Sequence, residues 1–575
     1  MYKIKTTRWI PYLVLTATAL ILINNMFYGF SWTDEGLYLS NVHRFFTGNR
    51  PLIDDWTPTQ FYEPLLLPLY ALFVKLNGGT DGIFLFFRIV TILFQACVSF
   101  FAYSVLSKKY DKVPALFASL IPLIFSRACL NGPSYYTIGF ETYLLGLFCI
   151  FAVLELHYKK LFLFLAGIFF ACAVLCNPFL VLPYIAVSAI CIFLKKTRSN
   201  LKSVSLIWLG TVVTGIAYLI FAFVGNTLHD ILTGFFYTYN DPSYKHTAIL
   251  TIKRLCKMPR LLIFPYILTW LPMVIVTGAI KIKKVSLSQK TKLILHGLNT
   301  LVFLANCCYN KDCGTAVMTF FHFTFFAVLL SSNGRVSLKE LFRENLSEIL
   351  YFILPGMILA YFFCFASDTG FGVCSVGMTV CAIGEIFIYT KYCEKNAFKY
   401  VPLVILFAFT FFLRTNLIYR DMQLPPHLVF VPNKNVDRIE RGSAKGLYTS
   451  MEYRKYYDDL YNLLNELNNT NEKKSIFISG VATWAYLSFE NLHCAAPTTW
   501  RIFFNDMRLQ PYFEEFPKYK FPDYVLILNK DNPSNNNKHR PDDISETWMY
   551  KELEKRGYTK QVVKSGSLFT RKGGN

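Results

Sequence analysis

Charge is scarce in this 575-residue sequence. Asp, Glu, Lys and Arg make up 17% of it, against roughly 25% in an average soluble domain. The scarcity is uneven: residues 1–417 hold 35 Lys and Arg with 18 Asp and Glu, whereas the much shorter stretch 418–575 holds 23 with 19. This excludes a wholly soluble enzyme, a disordered chain and a fibrous repeat protein. The C-terminal stretch also lacks a nucleophile elbow, a P-loop and a dinucleotide fingerprint. No CxxC pair stands in a zinc-like context. Fifteen cysteines are present, but most, such as Cys97, Cys149, Cys172, Cys176, Cys191 and Cys364, lie in apolar runs, where a thiol behaves as a small hydrophobe. Only Cys307, Cys308 and Cys313 cluster in a polar loop.

What the chain does have is apolar length, with 54% hydrophobic residues. Apolar runs lie at 9–28, 83–106, 113–127, 138–156, 161–176, 178–194, 204–224, 260–280, 293–306, 315–331, 348–366, 371–390 and 400–417. A helix crossing the hydrocarbon core needs about 20 such residues, so these read as thirteen spans. The first run follows Lys3, Lys5 and Arg8 and has no small-residue cleavage pattern after it, which marks a retained anchor. Loops on the N-terminal side carry 23 Lys and Arg, against 10 on the other. Cytoplasmic loops are enriched in these residues, so the N-terminus is expected inside and the C-terminus outside. The net charge of +21 is then mainly a topology signal, and nucleic acid is not an expected partner. The expected architecture is an all-α multi-pass domain over 1–417 and an extracytoplasmic α/β domain over 418–575. In the latter, MEYRKYYDDLYNLLNELNN reads as an amphipathic helix, KSIFISGV and FPDYVLILNK as strands, ATWAYLSF and SETWMYKELEKRGYTK as helices, and KQVVKSG with SLFTRK as a closing pair. Asn468-Asn469-Thr470 fits a glycosylation sequon.

The chemistry-bearing residues gather after the first span, in SWTDEGLYLSNVHRFFTGNRPLIDDW. Asp34 and Glu35 fall about one turn beyond the membrane edge, where paired carboxylates are costly unless used or solvated. One reading is a helix N-cap; the other is a general base at headgroup depth. EGLYLSNVHRFF places Leu37, Asn41, Arg44 and Phe45 on one face, the pattern of a helix lying along the interface. The segment from Glu63 to Leu76 is apolar but short, fitting a re-entrant or interfacial helix, and Arg88 opens the next run.

This order resembles the GT-C superfamily of membrane glycosyltransferases, notably bacterial relatives of protein O-mannosyltransferases and of the lipid A aminoarabinose transferase. The matching residues are Asp34, Glu35, Tyr38, the Gly48–Asp54 stretch with Pro51 and Asp55, Tyr62–Pro64 and Arg88. The resemblance implies a GT-C-like fold with interfacial helices in the first outer loop. It also implies a polyprenyl-phosphate sugar donor, a glycan, lipid or protein acceptor, and transfer at the outer face of the bilayer. Asp34 would take the acceptor proton and Glu35 would help hold acceptor or sugar. Tyr38, Asp54, Asp55, Tyr62 and Glu63 join them as substrate-binding candidates. Arg44, Arg50, Arg88, Lys253, Arg254, Lys257 and Arg260 are the outer-face cations available to the departing phosphate. Glu63 departs from the His or Lys that relatives often carry before the proline. The loop RACLNGPSYYT has no carboxylate until Glu141, so no cofactor and metal-independent transfer are expected. In the loop 225–259, Phe235, Phe236, Tyr237 and Tyr239 are candidates to stack on sugars, or to sit in the headgroup belt. The rival readings are a transporter or flippase, or a polymerase of a lipid-linked glycan; no clear internal repeat speaks for a transporter.

Overall fold

The computed structural model describes residues 9–30, 34–126, 131–193, 201–239, 338–366, 375–392, 400–421, 436–470, 472–480, 482–495, 509–516, 521–529 and 547–571, with single positions between 253 and 301 and Ser545. Its first part is helical: α1 (Ile10–Asn25), α2 (Asp34–Phe46), α3 (Leu67–Asn77), α4 (Ile83–Leu106), α5 (Lys112–Ile124), α6 (Tyr135–Leu156), α7 (Leu161–Cys176), α8 (Val181–Phe193), α9 (Leu201–Phe223), α10 (Leu228–Tyr239), α11 (Leu338–Glu344), α12 (Leu354–Ala366), α13 (Ser375–Tyr392) and α14 (Val401–Asp421). Among the described residues four helical stretches are long and apolar enough to cross a bilayer: Ile83–Leu106, Tyr135–Leu156, Ser203–Phe223 and Leu346–Phe363. At 1.5 Å per residue, α4 is about 36 Å long, enough for a hydrocarbon core of about 30 Å. The runs at 9–28, 113–127, 161–176 and 178–194 form shorter helices, those at 371–390 and 400–417 form α13 (18 residues) and α14 (21 residues), and the runs at 260–280, 293–306 and 315–331 lie almost wholly outside the described residues.

A buried polar knot ties the helices together. Pro122 sits inside α5, which ends at Ile124 with Phe125 extended, so carbonyls there lose their helical partners. Gln95 Nε2 donates to Pro122 O (3.1 Å), Phe125 O (2.9 Å) and Glu141 Oε1 (3.2 Å). The Arg414 guanidinium donates to Leu123 O and, at 3.3 Å, to Gln95 Oε1. An arginine inside a late apolar run is thus explained by a helix end that terminates within the bundle.

The C-terminal part alternates as the sequence indicates, with α15 (Met451–Asn468), α16 (Leu509–Glu515) and α17 (Trp548–Lys555). It also has a small antiparallel pair, β1 (Val436–Arg438) with β2 (Tyr448–Ser450). A five-stranded mixed sheet is formed by β3 (Lys474–Ser479), β4 (Leu492–Cys494), β5 (Tyr524–Leu528), β6 (Thr559–Val563) and β7 (Gly566–Thr570), in the order β4-β3-β5-β7-β6. The strand period of two divides the apolar side chains between two cores. Ile476, Ile478, Leu526, Leu528 and Leu568 face one; Phe477, Val525, Ile527 and Phe569 face the other, under Met549 and Leu553 of α17.

The first of these cores is shared with the membrane part. It contains Leu37, Tyr38, Leu39 and Val42 of α2, Tyr70 of α3, Phe84 and Phe87 of α4, and Tyr457, Leu460 and Trp484 from the C-terminal part. Backbone bonds seal the seam: Tyr448 N to Phe27 O (2.7 Å), Gly29 N to Tyr448 O (2.9 Å) and Gly82 N to Gly442 O (3.0 Å). Ser40 Oγ donates to Thr483 O at 2.5 Å. This corrects the expectation of an interfacial α2. The helix is buried around most of its circumference, from Glu35 to Val42 and at Arg44 and Phe45, because the C-terminal part covers the face that the amphipathic pattern would have left on the membrane surface. Asn468 is likewise occupied, its Oδ1 accepting from Asn491 N at 2.9 Å.

Candidate active site

Asp34 is the first residue of α2. The turn that bears it is fixed by its neighbour. Arg88 near the start of α4 grips Glu35 in a bidentate pair, Nε to Oε1 at 2.5 Å and Nη2 to Oε2 at 2.6 Å. The remaining nitrogen, Nη1, donates to Met26 O (2.8 Å) and Tyr28 O (3.3 Å) just after α1. Both side chains are 2% exposed. One guanidinium therefore joins the end of α1, the start of α2 and the body of α4, a use of its planar fork that lysine could not reproduce. Glu35 and Arg88 are brought together as partners of each other, a pairing the sequence analysis did not anticipate.

Further along α2, Tyr38 packs edge-on against Tyr62 (ring centroids 5.9 Å) and Tyr135 (5.8 Å). Tyr62 donates its hydroxyl to Pro133 O at 2.9 Å. Asn41 Nδ2 donates to Glu63 Oε1 at 2.9 Å, and Arg44 Nη2 donates to the Asp54 carbonyl. The loop between α2 and Glu63 is wound on its own side chains. Asp54 Oδ2 accepts from Arg50 N (2.7 Å) and lies 3.7 Å from Arg50 Nε. Asp55 Oδ1 accepts from the amide and hydroxyl of Thr57 at 2.8 and 2.7 Å. Leu52, at φ +65°, occupies a left-handed conformation that costs a leucine strain; its N–H is held by Gln60 Oε1 at 2.6 Å.

These residues form a second polar cluster. Arg44 N ε and Nη1, Asp54 Oδ1, Trp56 Nε1 and Glu63 Oε2 are buried without a hydrogen-bond partner among the described residues. A buried unsatisfied polar group costs about 1–3 kcal/mol. Burial opposes the Arg44 charge, but Cys494, Asp55, Asp54 and Tyr512 outweigh it and hold the guanidinium above its ordinary pKa. Burial, then the charge of Asp55, pushes the Glu63 carboxyl well above the usual range, against the opposing Asn41 bond and Arg44 charge. Burial likewise pushes the Cys494 thiol up to about 12. Two of these neighbours, Cys494 of β4 and Tyr512 of α16, come from the C-terminal part, which sequence reasoning had not placed at the site.

The aromatic segment 235–239 ends α10. Tyr237 stacks on Trp56 at 4.5 Å and 4° and donates to Glu515 Oε1 at 2.9 Å, so its ring face is taken by protein. Phe235 and Phe236 are exposed, as is Lys253. Arg254, Lys257 and Arg260 lie outside the described residues. Trp484 and Tyr486 of the C-terminal part are buried in the core. Among the described residues no group of three or more His, Cys, Asp or Glu side chains converges on a metal position.

No family model and no curated protein matches the chain. Among solved structures, the oligosaccharyltransferase of Archaeoglobus fulgidus in its apo form is similar at 13% identity, over 99% of this chain and 75% of the other, with a TM-score of 0.46. ArnT from Cupriavidus metallidurans, bound to undecaprenyl phosphate, is similar at 10% identity over 99% of each chain, with a TM-score of 0.43. The archaeal oligosaccharyltransferase has also been solved with an inhibitory peptide and a dolichol-phosphate, at 12% identity, 98% of this chain, 74% of the other and a TM-score of 0.42. At these scores the likenesses add no weight to the reading below, which stands on this chain's own residues.

Proposed function

We propose that this protein is a membrane glycosyltransferase that moves a sugar from a polyprenyl-phosphate carrier to a hydroxyl acceptor at the outer face of the membrane, with inversion at the anomeric carbon. The observation that carries the reading is the buried Glu35–Arg88 pair, which fixes the turn bearing Asp34 at the exit of α1. An ion pair so placed is expensive to desolvate; its return here is a rigid mount for a neighbouring carboxylate. In this reaction the acceptor oxygen attacks the anomeric carbon, and the bond from that carbon to the phosphate oxygen breaks. The bond's electrons leave with the polyprenyl phosphate, and the acceptor proton passes to Asp34. In-line attack from the face opposite the phosphate gives inversion. Glu35 and Arg88 act as positioning residues. The outer-face cations Lys253, Arg254 and Arg260 are the proposed partners of the leaving phosphate.

In this reading residues 1–417 form the catalytic membrane domain, with the N-terminus in the cytoplasm, and 418–575 form an extracytoplasmic domain that roofs the first outer loop. The transfer needs no metal. The test is incubation of the purified protein with a panel of polyprenyl-phosphate monosaccharides, with and without a lysate-derived glycan fraction as acceptor. Release of polyprenyl phosphate from at least one donor supports the proposal; stability of every donor in the panel refutes it.

A further inference from the structure

The five-stranded sheet of the C-terminal part ends on one side at β6. Residues Lys564 and Ser565 turn the chain back, and β6 pairs with β7 without a bulge from Thr559↔Thr570 to Val563↔Gly566. The far side of β7 shows which backbone groups of β6 this ladder uses. Ser565 O accepts from Asn529 N at 2.9 Å, and Ser567 and Phe569 stand opposite Ile527 and Val525 of β5. By the alternation of an antiparallel ladder, Gly566, Leu568 and Thr570 then bond to Val563, Gln561 and Thr559. Lys560 and Val562 are left with N–H and C=O directed outward, where no strand among the described residues pairs with them. Proteins commonly blunt such an edge with a proline, a bulge or a covering element. Here β6 has no proline, and four of its five residues are exposed, Val562 at 81%.

The sequence of β6 also selects what can pair with it. A second copy of β6 can add antiparallel only where outward-directed residues meet outward-directed residues. Centring the pair on Lys560 sets that lysine against its own copy. Centring it on Val562 sets Lys560 against Lys564 on both sides of the axis. Like charges directly opposite are destabilising, so both arrangements are disfavoured. Centring on Gln561 sets Lys560 against Val562 and Val562 against Lys560, with no lysine facing another. In that register both outward residues exchange backbone bonds with the partner strand.

The placement of the sheet suits this pairing. One face, with Leu526 and Leu568, looks into the core shared with Phe84 and Phe87 at the start of α4. The other face lies under α17. The edges therefore point sideways, roughly along the plane of the bilayer that α4 crosses. Opposed residues of an antiparallel pair share a face, so its two-fold axis stands perpendicular to the sheet and hence roughly along the membrane normal. Two copies joined at β6 sit side by side in one bilayer with the same orientation.

We infer that β6 is a self-association edge, through which two copies of this chain form a two-fold dimer centred on Gln561. The inference is independent of the transferase reading. A pair of five-residue strands is a small interface by the standard of stable complexes, so confinement in the membrane is what populates the dimer.

The test is oxidative cross-linking in the membranes of expressing cells, with the full chain carrying Gln561→Cys. Opposed residues of a non-hydrogen-bonded pair lie about 4.5 Å apart between Cα atoms, within disulfide reach. A covalent species of twice the chain mass is expected for Gln561→Cys and not for wild type, whose native cysteines serve as the control. Adding Val562→Lys, which sets lysine against Lys560, is expected to lower the dimer yield about three- to tenfold. Adding Val562→Pro removes an outward N–H that β7 does not use; it should abolish the dimer and keep the thermal midpoint. Absence of the dimer in Gln561→Cys, or a yield that neither second substitution changes, overturns the inference. So does a Lys560→Cys protein that cross-links as well as Gln561→Cys, or a cross-linked species of any other mass.

Discussion

The ion pair between Glu35 and Arg88 makes the sharpest structural prediction. Replacing Arg88 by Met deletes both bonds to Glu35 and the bonds to Met26 O and Tyr28 O, leaving the carboxylate of a side chain that is 2% exposed without its counter-charge. Breaking a buried pair from one side costs about 3–5 kcal/mol, so Arg88→Met should lower the thermal midpoint in detergent sharply. Arg88→Lys should recover only part of the loss, since one ammonium cannot copy two parallel bonds and two carbonyl contacts. The double variant Glu35→Leu/Arg88→Met removes the stranded charge and should regain most of the stability, because apolar pairs of similar volume commonly replace buried ion pairs at little cost. If the pair only positions Asp34, the double variant keeps measurable transfer. The assay is a four-member thermodynamic cycle by thermal unfolding, with donor turnover measured on the same preparations. An Arg88→Met protein as stable as wild type would refute the mounting argument. A stable but wholly inactive double variant would instead move Glu35 or Arg88 into direct contact with substrate.

Three further outcomes follow from the geometry. A Cβ at Gly36 would lie 2.5 Å from Thr483 Oγ1 and 2.8 Å from Trp484 N, so Gly36→Ala should cost about 1–3 kcal/mol by overpacking and separate α2 from the C-terminal part, which limited proteolysis would report as new cleavage; an unchanged digest would contradict the seam. Glu63 titrates above its unfolded value, so its protonated form favours the fold at low pH and stability falls as pH rises through the folded pKa. Glu63→Gln should remove that alkaline decline, and parallel wild-type and variant curves of thermal midpoint against pH would show that burial of Glu63 does not set it. Chelators should leave donor turnover unchanged, whereas inhibition reversed by added divalent metal would require ligands beyond those described here.

Much of this architecture can be read along the chain. Residues 83–106 form a helix with the bounds that the apolar run marks, and the C-terminal helix and strands fall where their periodicities put them, because both signals are local. The sequence reading misses what is joined over long separations. Ser40 meets Thr483 across 443 positions, so an amphipathic pattern of thirteen residues in α2 could not disclose a partner for its other face. Sequence alone offers Arg88 to the leaving phosphate, because the 53 positions between it and Glu35 hide their pairing. Asn41 and Trp56, absent from the sequence candidates, join the cluster through the fold alone: an asparagine within a helix and a tryptophan after two aspartates carry no spacing that names them. Arg414 was detectable in principle, since a charge inside an apolar run asks for a buried partner.

The most direct measurement compares wild type with Asp34→Asn for release of polyprenyl phosphate from a donor that the wild type consumes, under single-turnover conditions. A general base contributes about 10²–10⁴-fold, so the variant is expected to lose at least about a hundredfold in rate while keeping its thermal midpoint. Turnover by Asp34→Asn at the wild-type rate would contradict the claim that this carboxylate accepts the acceptor's proton.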